Sequence, residues 1–217
     1  MERVSGSRRN ISSTSIIREE YLLTGPFEHT NEPYGVAKVA GLKLCEAYNA
    51  QHATRYVSVM PTNLYGPNDN FDSLTSHVLP ALMRKAHEAK RAGAKAMTVW
   101  GSGKPLREFL HVDDCADALI FLLMRYSGED PVNVGTGQGT SILELAELIK
   151  NIVGFAGTLV TDASKPDWAP RKVLDTSKLT RMGWNPRITL RDGVASTYRW
   201  FLEHQDARGL KSHSYSR

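Results

Sequence analysis

The sequence has little that could cross-link it, anchor it in a membrane or hold a metal. Cys45 and Cys115 are the only cysteines among 217 residues. Two are too few for a disulfide framework or a zinc cluster, and reduced thiols in the cytoplasm are the natural reading. No apolar run is long enough to span a bilayer. The N-terminus lacks the apolar core of a secretory signal, so the Asn10-Ile11-Ser12 sequon carries no meaning. His29, His52, His87, His111, His204 and His213 show no ligand-like pairing, and no metal site is expected. A dense Lys/Arg stripe interleaved with aromatics is also missing. The net charge of +4 therefore suits a basic soluble protein, or a basic pocket for an anionic small molecule, rather than a nucleic-acid binder.

What is present is globular. Hydrophobic residues make up 41%, enough for a sizeable core. Residues 1–16 are Ser- and Arg-rich and read as a disordered or unrelated leader, with a weak organelle-targeting flavour. Helical periodicity covers 35–52, with Val36, Val39, Leu42, Leu44, Cys45 and Tyr48 as its apolar set. A strand is expected over 55–60, then a Pro/Asn/Asp-rich loop over 61–76, long enough to suggest function. Further helices are expected over 77–92, 113–126 and 190–203, and strands over 96–100, 107–112, 131–134 and 158–161. Ser141 and Glu144 form a capping box that opens another helix. Strands alternating with helices give an α/β protein. No internal repeat and no linker follow residue 17.

Tyr34 and Lys38 stand four residues apart at the head of the first helix. That spacing puts a phenol and an ammonium on one helix face. A nearby cation favours the phenolate, and a phenol so placed can act as an acid or base. Taken alone, the pair is as easily an aromatic at a helix start beside an exposed lysine. Two longer strings are more specific. One is 60–67, Met-Pro-Thr-Asn-Leu-Tyr-Gly-Pro, directly after a strand, where α/β sheets bind ligands. The other runs from Val99-Trp100-Gly101-Ser102-Gly103 to Arg107-Glu108-Phe109-Leu110-His111-Val112-Asp113-Asp114, in which an arginine near a tryptophan could clamp a phosphate.

These strings resemble the extended short-chain dehydrogenase/reductase family that acts on nucleotide sugars. Asn31 to Tyr34, Ala40 to Glu46, Asp69-Asn70-Phe71, Ser76-His77-Val78 and Ala163 to Asp167 narrow the resemblance to the NADPH-dependent branch that epimerises and reduces GDP-4-keto-6-deoxy-mannose. It extends from about Ile17 to about Asp206. The resemblance implies the carboxy-terminal part of a Rossmann-type doubly wound sheet with a smaller α/β substrate domain, mainly 66–110 and 135–190. It implies Tyr34 as the acid that protonates the C4 oxygen, and Lys38 as its tuner and a ligand of the nicotinamide ribose. Pro61, Thr62, Asn63 and Leu64 would line the nicotinamide end of NADP(H). His77 would be an acid/base for epimerisation at C3 and C5, close to the cofactor, a task that suits a histidine. Lys85, Trp100, Arg107 and Asp167 would contact the GDP-sugar substrate. A homodimer is implied through the helix that bears Tyr34.

Some family features have no counterpart. No strand, glycine-rich loop and helix precede Tyr34 to hold the NADPH pyrophosphate, so weak or no NADPH binding is expected of the chain by itself. Such a sheet would expose apolar faces and an open edge. The family's Ser and second epimerisation Cys are unmatched; Ser5 and Ser7 lie at roughly the right distance but in the wrong surroundings, and Cys45 sits on the Tyr34 helix. The run Gly135-Thr136-Gly137-Gln138-Gly139 follows a strand but spaces its third glycine too closely for a dinucleotide loop. Asp113 and Asp114 read as helix N-terminal residues. The alternatives are a catalytically dead dimerisation partner of a full-length enzyme, or another nucleotide-sugar epimerase or dehydratase.

Overall fold

A computed structural model of the chain describes residues 16–27, 29–72, 75–167 and 169–204. Apart from Ile16, the expected leader lies outside these residues. In chain order the elements are α1 (Glu32–His52), β1 (Val59–Pro61), β2 (Asn63–Tyr65), α2 (Val78–Arg91), β3 (Ala96–Trp100), β4 (Leu106–Arg107), β5 (Phe109–His111), α3 (Val112–Arg125), β6 (Val132–Val134), β7 (Thr140–Ser141), α4 (Ile142–Val153), β8 (Thr158–Asp162), β9 (Arg171–Lys172), α5 (Ser177–Arg181) and α6 (Leu190–Glu203). Short 3-10 turns cover Glu19–Tyr21 and His29–Asn31.

The strands associate mostly in parallel. β1 pairs with β6, β2 with β5, and β3 with β8, each pair widely separated in sequence. Parallel partners need a crossover, which the helices supply. β4 lies between β7, antiparallel, and β9, parallel. This is the α/β architecture expected from the alternation of elements.

Two cores hold the elements together. In the first, Leu79 and Met83 of α2, Val99 of β3, Leu145 and Ile149 of α4 and Phe201 of α6 are almost wholly buried. In the second, Leu110, Leu122, Val132, Val134, Leu179 and Trp184 join β5, α3, β6 and the region around α5. Burying each such leucine contributes about 1.5–3 kcal/mol. Trp184 Nε1 donates to Asp117 Oδ2 at 2.7 Å, so its polar atom is satisfied at the core edge.

Several expectations shift. The strand expected over 55–60 forms only at Val59–Pro61. Asn49 of α1 clasps the backbone before it, donating to Tyr56 O at 2.9 Å and accepting from Tyr56 N at 2.8 Å. The loop expected over 61–76 contains β2, which finds its partner 46 residues away. The strand expected over 107–112 is broken at Glu108 into β4 and β5. α3 starts at Val112, one residue early, with His111 Nδ1 accepting Asp113 N at 3.2 Å as its cap. Asp114 is buried and accepts from Arg187 N and Ile188 N. It therefore fixes a distant loop as well as standing at a helix start.

α1 departs furthest. It has the expected span, with Pro33 in its first turn, where the missing N–H is harmless. Yet it buries no residue; Val36, Leu44 and Tyr48 are all exposed. Phe27 abuts Gly35 near one end and Asn49 holds the other, and between them Val39, Leu42 and Cys45 are only half-buried. Leu119, Ile120, Leu123 and Met124 form a second exposed stripe on α3. No helix among the described residues is long and apolar enough to cross a membrane.

Candidate active site

The Tyr34–Lys38 pair forms as its spacing requires. Lys38 Nζ lies 5.3 Å from the centroid of the Tyr34 ring, and the phenol is 60% exposed. No hydrogen bond, ion pair or ring contact joins either residue to 61–64 or to His77 among the described residues.

Thr62 and Asn63 lie where β1 gives way to β2, at the carboxyl end of β1. Thr62 N donates to Val134 O at 3.0 Å. Thr62 Oγ1 and Asn63 Nδ2 both donate to the carbonyl of Glu108, at 3.1 and 2.9 Å. Leu64 is half-buried against the second core, and Pro61 is exposed. The strand end is thus fixed to the break between β4 and β5.

Glu108 is a hub that the sequence did not single out. Its side chain is wholly buried. Oε1 accepts from the backbone N–H of Thr136 and of Gly137, and Oε2 accepts from Leu174 N at 2.7 Å. Burial pushes its pKa up, while the bonds from Leu174, Gly137 and Thr136 pull it down; burial outweighs them. The glycine-rich run 135–139 is therefore filled by the protein's own carboxylate. A charged residue interrupting an apolar strand, with an unassigned glycine loop elsewhere, was the available signal.

His77 stands at the N-cap position of α2, exposed, with extended backbone and no capping bond from its side chain. The loop leading to it is tightly hydrogen-bonded: Asn70 Nδ2 donates to Thr75 Oγ1, and Thr75 N to Asp72 Oδ1. Burial raises the Asp69 pKa, opposed by its bond from Asn70 N and by the charge of His77.

The remaining residues gather at the end of β3. Lys85 Nζ lies 5.5 Å from the centroid of the exposed Trp100 ring and donates to Thr98 O at 2.6 Å. Burial lowers the Lys85 pKa, and Asp162 opposes that. Across the Gly101–Gly103 turn, Asp167 Oδ1 accepts Ser102 N at 2.9 Å. Hydrogen bonds from the Ser102 side chain and backbone hold the Asp167 pKa below the usual range. A side chain at Gly101, whose φ is +77°, would collide with that carboxylate. Arg107 donates to the carbonyls of Leu106 and Ala169 at 2.8 Å each, and burial lowers its pKa against the pull of Asp167. Lys85 and Trp100 are thus in contact, Asp167 and Arg107 flank the same turn, and Glu108 links Arg107 to Asn63.

Residues 5–135 match the NAD dependent epimerase/dehydratase family. The chain belongs to that family. It is 60% identical over 188 residues to the Putative GDP-L-fucose synthase 2 of Arabidopsis thaliana, covering 87% of this chain and 57% of that protein. It is 53% identical over 197 residues to the GDP-L-fucose synthase of Escherichia coli strain K12, covering 87% and 61%. Among solved structures, a GDP-L-fucose synthetase from Naegleria fowleri bound to NADP superposes with a TM-score of 0.84 at 35% identity, over 89% of this chain and 62% of that one. The chain thus spans less than two thirds of the length of these relatives.

Proposed function

We propose that the chain carries the sugar-binding side and the proton donor of a NADPH-dependent epimerase/reductase that forms GDP-L-fucose from GDP-4-keto-6-deoxy-mannose. The observation that carries this reading is the arrangement at the end of β3. An exposed tryptophan, a lysine, an arginine and an aspartate are held around one glycine turn, and the carbonyl of Glu108, the residue after that arginine, accepts from Asn63. The cations suit a diphosphate, and the indole suits the face of a base or sugar.

Tyr34 gives its proton to the C4 oxygen. The Lys38 ammonium above its ring offsets the charge left on the phenol oxygen. His77 removes and returns protons at carbons beside the ketone. Pro61 to Leu64 fit the nicotinamide end of NADPH, because they stand at a strand's carboxyl end with Thr62 and Asn63 already oriented. NADPH, when bound there, supplies the hydride to C4.

The test separates the two half-reactions. The chain is incubated with GDP-4-keto-6-deoxy-mannose in deuterated water, with and without NADPH. The reading expects deuterium at C3 or C5 that Tyr34→Phe retains and His77→Ala loses, and, at NADPH concentrations high enough to offset weak binding, NADPH oxidation that Tyr34→Phe abolishes. Neither exchange nor reduction, with the sugar nucleotide nonetheless bound, would leave the second reading: an inactive partner that pairs with a full-length subunit. The uncovered face of α1, with Val36, Leu44 and Tyr48 exposed, favours that second role.

A further inference from the structure

The alternation of β3 buries Met97 and Val99 and turns Thr98 and Trp100 outward. Two ammonium groups approach the exposed Trp100 indole. Lys85 comes from α2 and Lys165 from the turn after β8, each with Nζ 5.5 Å from the ring centroid. Lys85 is anchored by its bond to Thr98 O. The Lys165 backbone is anchored by its N–H to Asp162 O at 3.2 Å, while its ammonium makes no hydrogen bond or salt bridge among the described residues. Asp162, paired with Trp100 in the ladder, directs Oδ1 at Ser164 N and Oγ, at 3.0 and 2.6 Å. Among the described residues neither ammonium has a carboxylate within salt-bridge distance, although the charge of Asp162 is felt by both.

Like charges are costly to hold together on one ring, and an exposed cation–π contact is a weak return. The arrangement makes sense as a site waiting for a multiply charged anion. A fixed backbone with an ammonium head held only by a ring contact among the described residues suits phosphate binding by point charge.

We propose that Lys165 is a second phosphate-binding cation of the GDP-sugar site, acting opposite Lys85, and that Trp100 is the ring on which both ammonium groups rest until a diphosphate draws them off. This rests on the reading that the site takes a GDP-sugar.

The test is calorimetric titration of the 217-residue chain with GDP and with inorganic pyrophosphate, alongside tryptophan emission. Losing one charge-assisted contact should weaken both ligands about tenfold in Lys165→Ala, while Lys165→Arg stays within about threefold of the parent. Lys43→Ala, which removes a distant charge on α1, should bind as the parent does. Emission should change with GDP in the parent and not in Trp100→Phe. Thermal unfolding of Lys165→Ala should match the parent, because its ammonium makes no hydrogen bond or salt bridge among the described residues. Parent-like affinity in Lys165→Ala, or an equal loss in Lys43→Ala, would overturn the role of Lys165 and leave the site reading intact. A parent that binds no GDP at millimolar concentration would overturn both.

Discussion

Glu108 Oε1 accepts the backbone N–H of Gly137 at 2.9 Å, and the same oxygen accepts from Thr136. A loop that in sequence looks shaped for a phosphate is occupied by an internal anion. Removing that buried carboxylate leaves the amide donors of Thr136, Gly137 and Leu174 without the acceptor they share. Glu108→Ala is expected to cost about 3 kcal/mol or more in urea unfolding. The pH dependence has a definite sign. Burial raises the folded pKa of Glu108 above its ordinary value of 4.5, so the stability it contributes is full below that value. It declines as pH rises through the folded pKa. The gap between the parent and Glu108→Ala should narrow over that rise.

Gly135 has no room for a side chain, because a Cβ there would meet Glu108 Oε1. Gly135→Ala is expected to cost about 1–3 kcal/mol by overpacking. Paired with Glu108→Ala, the two losses should fall short of their sum, since both act through one contact. Unfolding curves of the four proteins in that cycle provide the check.

How far the sequence revealed these features depended on length and on locality. α4 and α6 were legible because their caps and apolar faces lie within a few residues of one another. The same holds for the Tyr34–Lys38 contact, which needs only the helix between them. β7 and β9 have two residues each and α5 has five, too short for any period to show. β2 was hidden because its partner β5 is distant in the chain. The apolar period of α1 promised a buried face, and the described residues leave Val39, Leu42 and Cys45 of it only half-buried. Beyond a charge interrupting an apolar strand, nothing local marks Glu108, and nothing marks Lys165, since their contacts come from loops 28–66 residues away in the first case and from across the β3–β8 ladder in the second.

Ser141 and Glu144 cap α4 reciprocally, with Glu144 N donating to Ser141 Oγ at 3.1 Å and Ser141 N to Glu144 Oε2 at 2.8 Å. Ser141→Ala should cost about 1 kcal/mol. The Ser141 bonds lower the Glu144 pKa from its ordinary 4.5. Its contribution is therefore present above that value and is lost as pH falls through the depressed one. Glu144→Gln should remove that acid-side dependence, as read by thermal unfolding across acidic pH.

The stripe on α3 should make the chain adhesive. Leu123 is 72% exposed and Met124 77%, beside exposed Leu119 and Ile120. Contiguous apolar surface of this kind promotes association. Leu123→Lys with Met124→Glu is expected to reduce concentration-dependent association in sedimentation velocity. Unfolding free energy should change by no more than about 0.5 kcal/mol, the usual range for surface positions.

α1 behaves as a strut, gripped at its two ends and at most half-buried along its span. Phe27 bears on Gly35 one residue beyond Tyr34, and Asn49 grips the segment that leads into β1. A tilt of the strut about the Asn49 grip would swing the phenol through an arc while leaving its lysine overhead, because both ride on the same turn. Reach, not the chemistry of the pair, is then the quantity that the packing of this helix controls.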